Sequence, residues 1–145
     1  MLGLMETSQR GPFHRDALDR DECLGRISQA SLARVVISVR CLPAALPVYV
    51  HVADHHVLIA SGEQSVIEAA RRNDVLAVQV DGADDDGTTW SVQATGIAHI
   101  PGPTDALRIV ADNSRLRAAL ESGATVIAIA STVVGGERVR WSFPR

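Results

Sequence analysis

The chain has 145 residues and a mass of 15.5 kDa, which suits one domain with a core of its own. Hydrophobic residues make up 46% and charged residues 21%, and this globular composition excludes an intrinsically disordered chain. The formal net charge of −3 argues against a nucleic-acid-binding protein, whose surface normally carries a strong positive patch. No segment resembles a signal peptide or a membrane span, so a cytoplasmic protein without a membrane partner is expected.

The first residues have no regular hydrophobic period. Residues 1–15 are predicted to form a flexible arm, followed by a single domain over residues 16–145. Apolar residues at near-helical spacing then predict a short helix over about residues 19–28, and Asp19 or Asp21 can accept backbone N–H bonds at its start.

Segments rich in valine and isoleucine predict most of the remaining chain to be strands. A helical period after Ser61-Gly62 predicts a second helix ending at Asn73-Asp74, and residues 104–122 predict a helical segment or pair joined at Asn113-Ser114. Turns are expected at Leu42-Pro43, Asp54-His55 and Gly135-Gly136. The predicted strands cover residues 34–40, 47–52, 56–60, 75–80, 89–100, 125–134 and 137–143.

Six or seven sequential strands with few helices indicate an antiparallel barrel or sandwich. A doubly wound sheet would need strand and helix to alternate throughout, which they do not. Gly96, inside the long fifth strand, predicts a bulge or a bend of the kind that a barrel uses to turn a corner.

Several short stretches, in this order and spacing, resemble the family of pyridoxamine-phosphate-oxidase-like, flavin-binding split barrels, especially its short actinobacterial type. The resemblance covers about residues 18–141 and implies a mainly β fold, an antiparallel six- to seven-stranded split β-barrel with short flanking helices. The stretches are Asp21-Glu-Cys-Leu24, Ala33-Arg34, Leu46-Pro-Val48, Val78-Gln-Val-Asp-Gly82, Trp90-Ser-Val92 with Gly96 and Ala98, Ile127-Ala-Ile129 and Val134-Gly135.

The resemblance also implies a homodimer with a small-molecule cofactor in the groove between its subunits. That cofactor is usually FMN and in some relatives a deazaflavin or haem, and the implied activity is a flavin- or deazaflavin-dependent oxidoreductase. For a haem, His51 or His99 would be the candidate ligands. The alternative is a split-barrel dimer that has lost its flavin site and is a non-catalytic binding protein without a cofactor.

In relatives the cofactor phosphate lies near the third strand and the start of the next helix. Here Gly62 lets the backbone approach a ligand, and the first N–H groups of the helix attract an anion. Relatives that bind flavin typically have a Lys or Arg in this stretch. Residues 61–66 here contain neither and include Glu63, so one charge-assisted bond worth about 1.5–3 kcal/mol is missing. Alternatively, Ser61 and Gly62 only connect the strand to the helix. The implied cofactor-binding residues are Pro47, Val48, Ala60, Ser61, Gly62, Gln64, Ser65, Trp90 and Ser91.

Two further side chains have a functional and a structural interpretation. Trp90 either lines the edge of the isoalloxazine ring or the dimer seam, or it packs in the core. Arg34 either reaches an anionic ligand across the subunit boundary or is solvated at the end of its strand. The sequence nominates no catalytic acid or base.

Other sites are not supported by the sequence. His51, His55 and His56 lack the partners of a metal site and are interpreted as solvated hairpin residues. The acidic residues 84–87 do not match a calcium loop and are expected to form a charged turn. Cys23 is expected to be a free thiol rather than one half of a disulfide with the other cysteine.

Overall fold

A computed structural model describes residues 13–131 and 133–141, so most of the predicted arm lies outside the described residues. The described part contains eight strands and four helices. In chain order they are β1 Phe13–Leu18, α1 Arg20–Gln29, β2 Ala33–Val39, β3 Leu42–Ala53, β4 His56–Ser61, α2 Gln64–Arg71, β5 Val75–Ala83, β6 Thr89–His99, α3 Pro103–Val110, α4 Ser114–Glu121, β7 Thr125–Ala130 and β8 Val133–Trp141.

The strands form an antiparallel barrel with an extension. The order β6-β5-β2-β3-β4-β7 returns to β6, because Ala98 of β6 pairs with Ile129 of β7. Strands β8 and β1 continue the sheet from the other edge of β6. The predicted antiparallel split barrel is therefore confirmed, with eight described strands where six or seven were predicted.

Strand β6 changes partners at the predicted corner. It pairs with β8 as far as Thr95 and with β7 from Ala98, and Gly96 lies between these two positions. The glycine without a side chain thus marks the point where the strand passes from the extended sheet into the closed part of the barrel.

The end of the chain differs from the prediction. Gly135-Gly136 is not a turn: both residues lie inside β8, opposite Gln93 and Val92 of β6. The predicted strand over residues 125–134 is divided instead between β7 and β8. A glycine pair favours a turn locally, but pairing with Gln93 and Val92 of β6, distant along the chain, decides otherwise here.

The first hairpin turn is also displaced from its predicted position. Arg40 and Cys41 form it, with backbone φ angles of 51° and 64°, while Leu42 and Pro43 already belong to β3. Positive φ at both central residues is what a tight two-residue hairpin requires. The prediction at Asp54-His55 is confirmed, with φ angles of 49° and 64°.

Strand β1 was not predicted, and its first three residues fall in the predicted arm. Its exposed residues from His14 to Ala17 show no apolar alternation, and it is ordered by pairing with β8. The side chain of Asp19 caps α1 by accepting a hydrogen bond from the Glu22 N–H at 2.8 Å. Asn113 caps α4 in the same way.

Two apolar clusters hold these layers together. The larger one fills the barrel and includes Ile59 and Ile127, both fully buried. The smaller one lies between the outer face of β4 and β7 and the α3–α4 pair, and it includes Leu58 and Leu116. In the part of the chain that the structure describes, no helix is long and apolar enough to cross a membrane.

Candidate functional site

Among the described helices, none packs over the centre of one outer face of the barrel. The α3–α4 pair covers β4 and β7, whereas β3, β2, β5, β6 and β8 present their outward side chains to solvent. Because directly opposite residues of paired strands project to the same side, the register arranges these side chains in rows across the sheet. We call this surface the open face. Its carboxylate row is Asp81, Ser91 and Glu137; its amide row is Pro47, Arg34, Gln79, Gln93 and Gly135; its apolar row is Ala45, Val36, Ala77, Thr95 and Val133.

The amide row combines neutral hydrogen-bonding groups with one cation. Gln79 Nε2 donates to Ser91 Oγ at 3.2 Å, and Gln93 Nε2 donates to Thr95 Oγ1 at 3.2 Å. Arg34 is exposed and forms no ion pair within residues 13–131 and 133–141. The row can therefore bind both an anion and a polar ring edge.

Two grooves on the open face meet at Thr95. The first has a volume of about 260 Å³ and reaches across β6 to β8. The second has a volume of about 370 Å³ and lies across β2 and β5. The first is lined by Ser91, Val92, Gln93, Thr95, Val133, Gly135, Gly136 and Glu137, and the second by Val36, Ile37, Ser38, Pro43, Ala69, Asp74, Val75, Leu76, Ala77 and Thr95.

The structure divides the site residues predicted on the barrel strands. Pro47 and Ser91 lie on the open face with Arg34. Val48 is 4% exposed and belongs to the cluster inside the barrel. Ala60 belongs to the smaller cluster beneath α3 and α4. The sheet register thus brings only some of the predicted residues onto one surface.

The stretch predicted to bind the phosphate, residues 61–66, runs from the end of β4 into the first turn of α2, and we call it the α2 entry. Ser61 is buried and its Oγ accepts a hydrogen bond from the Glu63 N–H at 3.1 Å, as expected of a strand-to-helix connection. Gln64 donates to Glu68 Oε1 at 3.2 Å, and Ser65 is half-buried. Around Gly62 there is open space, because a Cβ at this position would meet nothing within 4 Å. Glu63 is the N-cap residue of α2 and is exposed, so its carboxylate lies at the helix end that carries the first N–H groups.

Trp90 points to the opposite side of β6 from Ser91. Its ring lies against Gly82, where a Cβ would clash with it, and the Arg26 guanidinium lies over it at 4.6 Å. The ring is half-buried against the cluster inside the barrel. These contacts favour the structural interpretation of Trp90, as a side chain that closes one end of the barrel beneath α1.

Acidic residues 84–87 form the turn between β5 and β6, as expected. Asp84 accepts from Arg26 at 3.5 Å and pairs with Arg138 at 3.8 Å, while Asp86 pairs with Arg140 at 3.9 Å. The Thr88 backbone N–H donates to Asp86 Oδ1 at 2.9 Å, and this bond, with Arg140 nearby, lowers the pKa of the Asp86 carboxyl. Three arginines therefore neutralise this turn and tie it to α1 and β8.

The histidines named as metal or haem candidates are spread over the barrel wall. His51 is half-buried on β3, and His99 is exposed on β6 with its ring centroid 6.4 Å from that of His56. Among the described residues, no group of three or more His, Cys, Asp or Glu side chains is placed to hold a metal ion. Cys23 and Cys41 are both free, the first buried and the second exposed.

Sequence reasoning missed Gln79, Gln93, Thr95 and Gly135 as site residues. Each glutamine lies between two buried apolar residues, so its outward direction was readable from the sequence. The sequence does not reveal which outward residues share a row, because the rows depend on how β2, β5, β6 and β8 pair.

Solved structures with the same fold include three proteins from two bacterial genera. An FAD-binding protein from Mycobacterium smegmatis is 22% identical, with a TM-score of 0.63 over 86% of this chain and 98% of that one. An FAD-binding protein from Mesorhizobium loti is 19% identical, with a TM-score of 0.70 over 88% and 98%. An FAD- and haem-binding protein from Mycobacterium smegmatis is 15% identical, with a TM-score of 0.63 over 90% and 74%. At these identities the likeness shows the fold alone.

A comparison with curated proteins found no match to the chain. The family model described as pyridoxamine 5'-phosphate oxidase, by contrast, matches residues 19–133, which include α1, the whole closed barrel and the helices that flank it. The chain therefore belongs to the pyridoxamine 5'-phosphate oxidase-like family.

Proposed function

We propose that the protein binds a flavin on the open face and is a flavin-dependent oxidoreductase. The observation that carries this proposal is the amide row, in which Arg34, without an ion pair in the described part of the chain, stands in line with Gln79 and Gln93 beside two grooves. The flavin-binding functions named for the structural relatives support the same ligand class.

The residues of the open face fit the two chemical parts of a flavin. An isoalloxazine ring presents carbonyl and N–H groups along one edge, and the Gln79 and Gln93 amides can both donate and accept hydrogen bonds. A flavin phosphate requires cationic or N–H donors. Arg34 provides such a donor on the same face, which compensates for the missing cation at residues 61–66.

The α2 entry is the less favourable phosphate position. It offers helix N–H groups and the Ser65 hydroxyl, but Glu63 stands exposed at the N-cap and would repel an anion. We therefore assign the phosphate to Arg34.

We also propose that the protein is a homodimer that shares the open face. Large apolar side chains are exposed there: Val75 at 64%, its cross-strand partner Ile97 at 54% and Val133 at 42%. A second copy would remove this apolar surface from water and enclose the grooves. It would also strengthen the hydrogen bonds of the amide row by excluding solvent.

The flavin would supply hydride and electron transfer, which needs no protein nucleophile. The amide row holds one arginine, two glutamines, a proline and a glycine, and no acid, histidine or cysteine. Their role in this proposal is to bind and orient the ligand.

The test is to purify the protein, record its visible spectrum, and titrate it with FMN and FAD while following flavin fluorescence. We expect the protein to quench FMN fluorescence in a saturable way. If FAD binds more tightly than FMN, the ligand is the dinucleotide. If neither flavin binds, the flavin proposal is wrong. Light scattering at several concentrations tests the dimer, and a stable monomer would contradict the shared face.

A second candidate function is a split-barrel binding protein without a flavin. The observation that favours it is the acidic α2 entry, where Glu63 replaces the expected cation. A colourless protein that is dimeric and binds neither flavin would support this candidate.

A further inference from the structure

Gly135 and Gly136 are adjacent in β8, but only one of them is required by the packing of the described chain. A Cβ on Gly136 would lie 2.6 Å from the Ser91 carbonyl oxygen and 2.7 Å from Val92 Cγ1, so β6 itself requires a glycine there. A Cβ on Gly135 would meet nothing within 4 Å, and its φ is not in the left-handed region. Neither close packing nor backbone conformation within the described chain requires Gly135.

A glycine inside a strand weakens the strand, because it adds conformational entropy to the unfolded chain and packs no side chain. Such a glycine typically marks a bulge, a bend or the close approach of another group to the backbone. Gly135 is in continuous register with Gln93, and its neighbours Val134 and Gly136 pair in step with Ala94 and Val92. With no bulge present, we attribute Gly135 to the close approach of a group outside the described residues.

The surroundings of Gly135 indicate what kind of group this is. Gly135 is exposed and lies on the floor of the groove of about 260 Å³, next to the Gln93 amide and the Ser91 hydroxyl. Thr95 and Val133 form the adjacent wall. A bare strip of backbone bordered by hydrogen-bonding side chains accommodates a flat polar ring better than a bulky aliphatic group.

We propose that Gly135 is a specificity-determining position at which the ring of the bound flavin lies directly against the β8 backbone, with Gln93 beside it. This inference rests on the proposed flavin-binding function and names the subsite for the ring. A side chain at residue 135 would occupy the space of the ring without disturbing the fold.

The experiment compares wild type with Gly135→Val and with Ala45→Val as the matched control. Ala45 is an exposed residue of the same open face that lines neither groove, so its variant adds bulk elsewhere on that face. Riboflavin, which has a flavin ring but no phosphate, is the probe. Thermal unfolding without flavin and light scattering accompany each titration.

For Gly135→Val we expect stability to be retained or raised and riboflavin binding to be weakened. Gly135→Val should unfold at the same temperature as wild type or higher, because a β-branched residue replaces a strand glycine. Its riboflavin affinity should fall by about tenfold or more, as expected when a side chain overlaps a ligand. Ala45→Val should bind riboflavin as wild type does. A purely structural glycine cannot give this combination.

Three results would overturn the inference. If Gly135→Val binds riboflavin like wild type, the ring does not lie at residue 135, although the proposed function stands. If wild type itself binds no flavin, both proposals fall. If Gly135→Val becomes monomeric while the control stays dimeric, and binding is lost only for that reason, then the partner subunit and not the flavin ring lies against residue 135. Should Gly135→Val not fold, Gly135→Ala is judged by the same criteria.

Discussion

Replacing Arg34 with glutamine tests the assignment of the phosphate. Arg34 stands between Pro47 and Gln79 in the amide row, and its guanidinium has no ion-pair partner in the described chain. Arg34→Gln removes the charge while retaining a polar side chain of moderate length. Because no described ion pair is broken, the stability of the protein should change little.

The magnitude follows from the bond that is lost. A hydrogen bond to a charged group contributes about 1.5–3 kcal/mol, which corresponds to an affinity loss of about 10- to 150-fold. That loss should apply to FMN, which carries the phosphate. Riboflavin lacks the phosphate, so its affinity should change by no more than about twofold.

Fluorescence titrations of wild type and Arg34→Gln with both ligands measure the two losses. Arg71→Gln is the matched control, because Arg71 is also exposed and also forms no ion pair within the described residues. Equal affinity of FMN for wild type and Arg34→Gln would refute the assignment. Stronger FMN binding by Glu63→Gln in the same series would place the phosphate at α2 instead.

Three further predictions concern the scaffold. Gly136→Ala should lower the free energy of unfolding by about 1–3 kcal/mol in urea titrations, because its Cβ overlaps the β6 backbone; unchanged stability would contradict the tight β6–β8 packing. Asp84→Ala should cost about 1–2 kcal/mol, and less in high salt, since it removes the shared partner of Arg26 and Arg138; a salt-independent loss would argue against an ionic cause. Burial, with Asp19 and Glu22 nearby, raises the pKa of the Cys23 thiol. The folded state thus holds this proton to higher pH than the unfolded state, so stability should fall as pH rises above about 8.5. Cys23→Ala should make stability less dependent on pH in that range. If the slope is unchanged in the variant, another ionisable group causes it.

The sequence by itself determined where most strands lie and which of their side chains point inward. Buried apolar residues alternate with polar ones in β5 at Val78-Gln-Val-Asp81 and in β6 at Val92-Gln-Ala-Thr95, and such alternation is a local property that survives in any packing. It also determined the hairpin at Asp54-His55 and limited the cap of α1 to Asp19 or Asp21, because these features depend on residues close together in the chain.

Only the tertiary structure decided which residues share a surface. Ala60 and Pro47 are both predicted to bind the cofactor, but α3 and α4 cover the first and leave the second open. Gly135 and Gly136 have the local signal of a turn, yet pairing with β6 holds them in a strand. The amide row joins Arg34 to Gln93 across three strands, and its existence depends on register. Register is set by contacts between distant parts of the chain, which alternation within one segment does not encode.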